Sequence, residues 1–507
     1  MSNSPCRKAR ELMRLRRAMM SSALQQSTTL LLYFATGVVI AHLLTPREAG
    51  SYSVALASVN AVSALKEQAI ASYVVSAVEL DNPLLRAAFG LSLAIGACLA
   101  ISFFGLSFVL ADFYHDPAVG QSLRILALAQ LGPAVAFPAT VRLMRAMRFG
   151  SLLAIGLAAA VFQSLTSITL AALGYGAVAL AWGYLASALL MAALTVSCQR
   201  DAIGLRPTLK GTRRILGFGS WISATFLVGS IATSTPELMI GRALGLANAA
   251  LFSRAQNLVS FVRNGLFVGM TRPLLPSLGE REGQGASLAP IYLRLVETIT
   301  GLAWPAYAVL AVWADPLVRS IYGEAWSAAG AMMTPIAIAH GLTLAVAPHY
   351  DILIVKRRPR LLLACELSVF LITTIALGIG LTFGIREAVW SLVMSSGFFA
   401  ACYFVALKSV VGFAPGALFK AWSRSLMLTV VAMPIPLVFR HLAGDTRVEV
   451  LLGFATSGAV SAMIWSATVM LVRHELSLHI SQVLRSAFVS VTARRFPGLL
   501  TAARKGR

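Results

Sequence analysis

Acidic residues are scarce in this chain. Twenty Asp and Glu stand against 42 Lys and Arg, and all four types together make up only 12% of 507 residues. A soluble domain carries roughly 25% charge, so this is not one large soluble core. Cysteine is rarer still. Cys6, Cys98, Cys198, Cys365 and Cys402 are scattered, odd in number and mostly in or beside apolar runs, and no Cys-x-x-Cys pair occurs. They read as small buried residues, not as a disulfide framework or zinc ligands. The seven histidines form no His-x-x-x-His or His-Glu-x-x-His pattern, which argues against a metal centre. A Gly-x-x-x-x-Gly-Lys-Ser/Thr loop is also missing, so no direct use of ATP and no cofactor is expected. Residues 1–20 are polar and basic. They are not followed by the short apolar core and small-residue exit of a cleaved signal peptide, so the first apolar run should remain as an anchor.

Long hydrophobic runs are abundant. Hydrophobic residues make up 58% of the chain, and a helix needs about 20 mostly apolar residues to cross hydrocarbon. Fourteen runs fit: 21–44, 51–78, 84–111, 119–141, 150–173, 176–198, 215–241, 249–271, 288–313, 326–355, 361–384, 387–407, 425–439 and 450–472. The thirteenth is short and holds Pro434 and Pro436. An all-α polytopic membrane protein with about 14 transmembrane helices follows.

A net charge of +22 would suggest nucleic acid in a soluble chain. Here the cations are dispersed by topology, so no nucleic-acid partner is expected. With the N-terminus inside, and with Arg86 and Arg294 at the inner ends of their runs counted as inner, 32 Lys and Arg fall in inner segments, six in outer ones, and four (Lys66, Arg124, Arg254 and Arg263) within spans. That bias follows the positive-inside rule and places both termini in the cytoplasm. Every outer loop is short, which leaves no room for an external catalytic domain. The tail from Glu475 to Thr492 carries Leu476, Ile480, Val483, Leu484, Ala487 and Val491 on one helical stripe. It reads as a basic amphipathic helix on the anionic inner leaflet.

The chain also repeats. Residues 40–55 and 240–255 align without a gap: Ile40 meets Ile240, Leu44 Leu244, Ala49 Ala249, Ser53 Ser253 and Ala55 Ala255. Internal duplication of apolar segments marks transporters, with binding sites between the halves.

Ionisable residues inside a membrane are costly and usually face a bundle interior or water. On the eighth run Ser253, Arg254, Gln256, Asn257, Ser260, Arg263 and Asn264 occupy about half the helix circumference. On the second, Ser53, Asn60, Ser63, Lys66 and Glu67 share a comparable arc. Two such faces would line a wet cavity between two lobes. Substrate-binding candidates are therefore Arg254, Arg263, Asn257, Ser260, Asn60 and Lys66. A guanidinium offers a planar fork of donors to phosphate or pyrophosphate; its alternative is pairing with Glu237, Glu297 or Glu366. Coupling-ion candidates are Glu237, Glu67 and Asp351. Glu237 follows Pro236, which opens backbone hydrogen bonds and permits a bend. His349 and Arg124 are weaker cases of the same kind, and Pro133 and Pro138 read as kinks.

The stretch His42-Leu-Leu-Thr-Pro-Arg-Glu-Ala-Gly-Ser-Tyr52 resembles the turn after the first helix of polysaccharide repeat-unit flippases, in the multidrug/oligosaccharidyl-lipid/polysaccharide exporter superfamily. Further matches follow in order: Gly174 to Leu180, Leu205 to Pro207, Ile215 to Gly219, Pro236 to Gly245, Arg272 to Pro276 and Ile321-Tyr-Gly-Glu-Ala-Trp326. Glu237 stands where the family usually has Asp.

This resemblance implies two pseudo-repeat six-helix bundles, residues 21–198 and 215–411, joined by a cytoplasmic linker at 199–214. A basic segment, 1–20, precedes them; two extra helices, 412–472, and a cytoplasmic tail, 473–507, follow. It implies alternating access and a substrate of oligosaccharide on isoprenoid (undecaprenyl-type) pyrophosphate, crossing a bacterial inner membrane. Membrane lipids, and a glycan polymerase with its chain-length machinery, are the partners it suggests. Three alternatives compete. A cation-coupled drug antiporter would favour acidic groups in the cavity. A membrane glycan polymerase or ligase would want a sizeable outer loop. A scaffold would leave the polar arcs unexplained.

Overall fold

The computed structural model describes residues 28–76, 82–146, 148–199, 206–210, 212, 220–271, 274–472 and 476. For 63–76, 220–223, 266–271 and 274–277 the description covers the backbone alone. The basic N-terminal segment, most of the linker and the amphipathic tail lie outside the described residues.

Every apolar run becomes a helix. In chain order these are α1 (Thr28–Leu43), α2 (Pro46–Ser76), α3 (Asn82–Tyr114), α4 (Pro117–Arg145), α5 (Phe149–Ala172), α6 (Ala177–Cys198) and α7 (Ser220–Leu244). The series continues with α8 (Leu246–Thr271), α9 (Ala289–Val312), α10 (Ala328–Val355), α11 (Pro359–Phe383), α12 (Ile385–Val411), α13 (Pro415–Leu442) and α14 (Arg447–Leu471). No strand occurs among the described residues. Ten of these helices are long and apolar enough to cross a membrane. Of the other four, α1 is described only from Thr28, while α2, α7 and α8 are long but carry polar faces. Helix α13 starts ten residues before the apolar run at 425–439, so Lys420 and Arg424 sit on the helix and not in a loop.

Three of the helices are interrupted, and the cause can be read in the chain. A proline lacks the N–H that would bond to the carbonyl four residues back, and its ring crowds that carbonyl. The regular helix stops at Ala129, Leu344 and Ala432. Pro133, Pro348 and Pro436 stand four residues beyond each stop. Pro138, Pro236, Pro305 and Pro335 ride inside continuous helix, so proline permits a break without dictating one.

Packing repeats as the sequence does. In the first six helices α3 packs on α4, α4 on α2 and α6, and α5 on α6. Displaced by six, α9 packs on α10, α10 on α8 and α12, and α11 on α12. The aligned residues share their burial: Ile40 and Ile240, Ala49 and Ala249, and Ala55 and Ala255 are all buried. Between the two sets, α2 lies against α7 and α8. The approach is close. A Cβ on Gly241 would come 2.9 Å from Val54 Cγ2, and one on Gly50 would collide with the Leu246 carbonyl.

Helices α13 and α14 pack beside this pair of sets. Helix α13 lies along α9, where Arg424 pairs with Glu297 at 3.2 Å and Thr300 and Ser425 share a hydrogen bond of 2.8 Å. From α14, Trp465 donates to the Gly301 carbonyl at 2.8 Å.

Candidate functional site

Where α1 and α2 meet α7 and α8, a cavity of about 270 Å³ opens. Asn60 and Ser53 reach it from α2, Glu237 from α7, and Ser253, Arg254 and Asn257 from α8. Tyr33 and Thr36 of α1, Tyr52 of α2, and Gln163, Ser164 and Ser167 of α5 add to its polar lining. The cross-links are direct: Thr36 donates to Ser164 at 2.7 Å and Tyr33 to Gln163 at 3.1 Å.

Arg254 is held by aromatic faces. Its guanidinium lies 5.1 Å from the Trp326 ring and 5.6 Å from that of Tyr322. Gly37 leaves the space, since a Cβ there would stand 2.9 Å from the guanidinium nitrogen. Among the described residues Arg254 makes no ion pair. A cation over an aromatic face is attracted by the ring quadrupole, so it is positioned while its donors stay available.

Glu237 lies where the two repeat copies meet. It shares the cavity wall with Ser53 and Ser253, equivalent positions of the two copies. Its Oε1 is buried without a hydrogen-bond partner. The cavity thus holds one cation and one carboxyl group that do not pair with each other.

The other candidates separate. Arg263 is nine residues from Arg254, two and a half turns on at 3.6 residues per turn, and so lies on the opposite edge of the polar arc. It lines a second chamber of about 760 Å³, within the second set of helices. Gln256 and Glu366 line that chamber too. Ser260 and Asp351 line neither. Lys66 and Glu67 belong to α2, but their side chains lie outside the described residues. The acidic groups weighed as arginine partners are taken otherwise: Glu297 pairs with Arg424, and Glu366 accepts from Tyr403 Oη at 2.6 Å. Arg124 stacks on Phe108 at 4.9 Å.

Two features were not singled out as site residues from sequence. Trp326 is fully buried and donates its indole N–H to the Ala41 carbonyl at 2.9 Å, 285 residues away. Tyr114 donates to the Leu238 carbonyl at 3.0 Å. Each bond joins one set of helices to the other. The turn carrying Trp326 requires Gly323 at φ +91°, a backbone region that favours glycine. The second feature is an apolar groove of about 660 Å³ between α1, α8, α9, α13 and α14, lined by Phe34, Phe261, Pro305, Phe454 and Trp465. Helices α1 and α8 thus present one face to the groove and another to the polar cavity.

A duplicated set of membrane-spanning helices, closed on a small polar cavity, defines a multi-pass membrane protein of transporter fold. The profile of the family described as Polysaccharide biosynthesis protein matches residues 39–331, more than half the chain, and the chain belongs to that family. It is 24% identical over 326 residues to the succinoglycan biosynthesis transport protein ExoT of Rhizobium meliloti (strain 1021), covering 63% of this chain and 65% of that one. It is 21% identical over 291 residues to the lipopolysaccharide biosynthesis protein WzxC of Escherichia coli (strain K12), covering 57% and 59%. In both cases the match spans somewhat less than two thirds of the relative. Among solved structures, the lipid II flippase MurJ in an inward closed conformation has the same fold. It matches at TM-score 0.69 and 14% identity over 90% of this chain and 100% of that one.

Proposed function

We propose that this protein is a flippase for oligosaccharide repeat units carried on isoprenoid pyrophosphate, and not an enzyme. The observation that carries the reading is Arg254: a guanidinium in a polar cavity at the seam, held by two aromatic rings, with no acidic partner among the described residues. The names of ExoT and WzxC support a place in surface-glycan biosynthesis. A sugar head group cannot cross about 30 Å of hydrocarbon unaided. The polar cavity receives the charged head, Arg254 contacts the pyrophosphate, and Asn60 and Asn257 hydrogen-bond it. The apolar groove on the far face of α1 and α8 accommodates the isoprenoid tail.

The two sets of six helices act as lobes that rock about the α2–α7–α8 contact, giving alternating access. Glu237, in the same cavity, couples the motion to a cation or proton. The protein sits in a bacterial inner membrane with both termini cytoplasmic, and hands its passenger to the polymerase and chain-length machinery. A cation-coupled drug exporter is the second reading; Glu237 in the same cavity favours it.

The test is Arg254→Gln in a strain lacking its own copy of the gene. Surface glycan is expected to fall at least tenfold, with lipid-linked repeat units accumulating on the cytoplasmic leaflet at normal protein levels. Wild-type glycan from the variant, or a gene deletion that changes nothing, removes this reading.

A further inference from the structure

The seam cavity, at about 270 Å³, is small for an oligosaccharide. A ligand that must be enclosed usually has a pocket of roughly 300–1,000 Å³. The second chamber, at about 760 Å³, falls in that range, and nothing in the proposal above uses it. It lies between α7, α8, α10, α11 and α12.

Its lining is of two kinds. Aromatic faces are supplied by Phe226, Tyr350 and Phe399; Phe226 packs on Tyr350 at 5.2 Å between ring centroids. Polar groups are spread around the wall. His349 Nδ1 and Tyr350 Oη are buried without hydrogen-bond partners among the described residues. Glu366 belongs to the same cluster, accepting from Tyr403, whose ring lies 4.3 Å from that of His349, and on α8 Gln256 is hydrogen-bonded to His340 at 3.1 Å. A buried polar atom with no partner costs stability, about 1–3 kcal/mol; both residues line the chamber, and a side-chain rotation would bring either group to a ligand there.

The chemistry selects the ligand class. A metal cation draws its oxygens together around one point, whereas these groups are dispersed over the chamber. A lipophilic drug needs few polar partners. A saccharide has apolar C–H faces to lay on aromatic rings and a rim of hydroxyls that both donate and accept. Arg263, in the C-terminal half of α8, lines the same chamber and adds a fork of donors for saccharide hydroxyls.

We infer that the chamber within the second set of helices holds the saccharide portion of the passenger and sets the length of glycan the protein accepts. This rests on the flippase reading and adds a division of labour to it. Arg254 serves any pyrophosphate-linked passenger, while the chamber serves those with several sugars.

The experiment uses purified full-length protein in proteoliposomes and two probes: undecaprenyl pyrophosphate bearing one hexosamine, and the same lipid bearing a tetrasaccharide. Translocation is read by periodate oxidation of newly accessible sugar. Glu366→Gln and Gln256→Ala alter different helices of the wall, α11 and α8, so a folding defect in one leaves the other. Each variant is expected to slow the tetrasaccharide lipid at least tenfold and the one-sugar lipid less than threefold. Free tetrasaccharide should compete with the longer probe.

Equal effects on both probes in both variants, or no effect, would overturn the inference while leaving the flippase reading intact. Competition by tetraphenylphosphonium but not by free tetrasaccharide would overturn it in favour of a drug chamber. Wild-type protein that moves neither lipid would sink the flippase reading itself, and this inference with it.

Discussion

Arg254 and Gly37 show how single residues set up the site. The guanidinium is planar, so it stacks on Trp326 and Tyr322 and still presents donors along its edge. Lysine keeps the charge and loses both the stacking and the fork. Arg254→Lys is therefore expected to retain folding and still lose about tenfold in translocation rate, in the same proteoliposome assay. Gly37 tests the geometry from the other side. A Cβ there stands 2.9 Å from the guanidinium nitrogen, and that nitrogen ends a flexible side chain that can shift by a few tenths of an ångström. Gly37→Ala should be mild, less than threefold in rate. Gly37→Val adds two methyl groups in the same gap and should match Arg254→Lys. If Gly37→Val transported at the wild-type rate, Arg254 would not need its observed position.

At the scale of elements, the seam is closed by backbone contacts that side chains cannot relax. Gly50 of α2 lies on the Leu246 carbonyl at the start of α8. Overpacking costs typically ~1–3 kcal/mol, and a backbone neighbour places Gly50→Ala at the upper end of that range. Trp326→Phe keeps the ring and removes the N–H, leaving the Ala41 carbonyl unpaired at a cost of about 1–3 kcal/mol. Because that bond joins the two sets, its loss should also loosen the seam. A cysteine at Asn257, in a cysteine-free background, should then react faster with an impermeant thiol reagent added from outside. Unchanged labelling would show that the bond only stabilises the fold.

Much of this level was legible in the chain. Run length and hydropathy gave the fourteen long helices but not the short ones at Leu274–Gly283 and Ala314–Tyr322, the 200-residue offset gave the pairing of α1–α2 with α7–α8, and the Ile321 to Trp326 motif marked the turn that roofs Arg254. The division of the polar arc on α8 was not legible. Periodicity places Arg254 and Arg263 on the two edges of one polar half, and only the position of α7 decides that these edges face different chambers. The Trp326–Ala41 bond spans 285 residues, and no local pattern encodes it.

The whole molecule includes two helices beyond the repeat, and their contacts assign them two separable roles. Helix α13 supplies Arg424 to Glu297 of α9, whose side chain is 9% exposed. Helix α14 supplies Phe454 and Trp465 to the wall of the apolar groove. A chain ended after Val411 loses both. Glu297 would lose the Arg424 pair, and breaking a buried pair costs about 3–5 kcal/mol when fully buried. Arg424 keeps 36% of its side chain exposed, so roughly half that figure is expected. The truncated protein should show a lower Tm in detergent, and Glu297→Gln in the truncated chain should recover much of the loss by removing the charge. Translocation should not recover with it, because the groove still lacks a wall for the isoprenoid tail. If the rescued truncation moved lipid-linked sugar as fast as the full chain, α13 and α14 would be a buttress only, and the tail would have to travel elsewhere along α1 and α8.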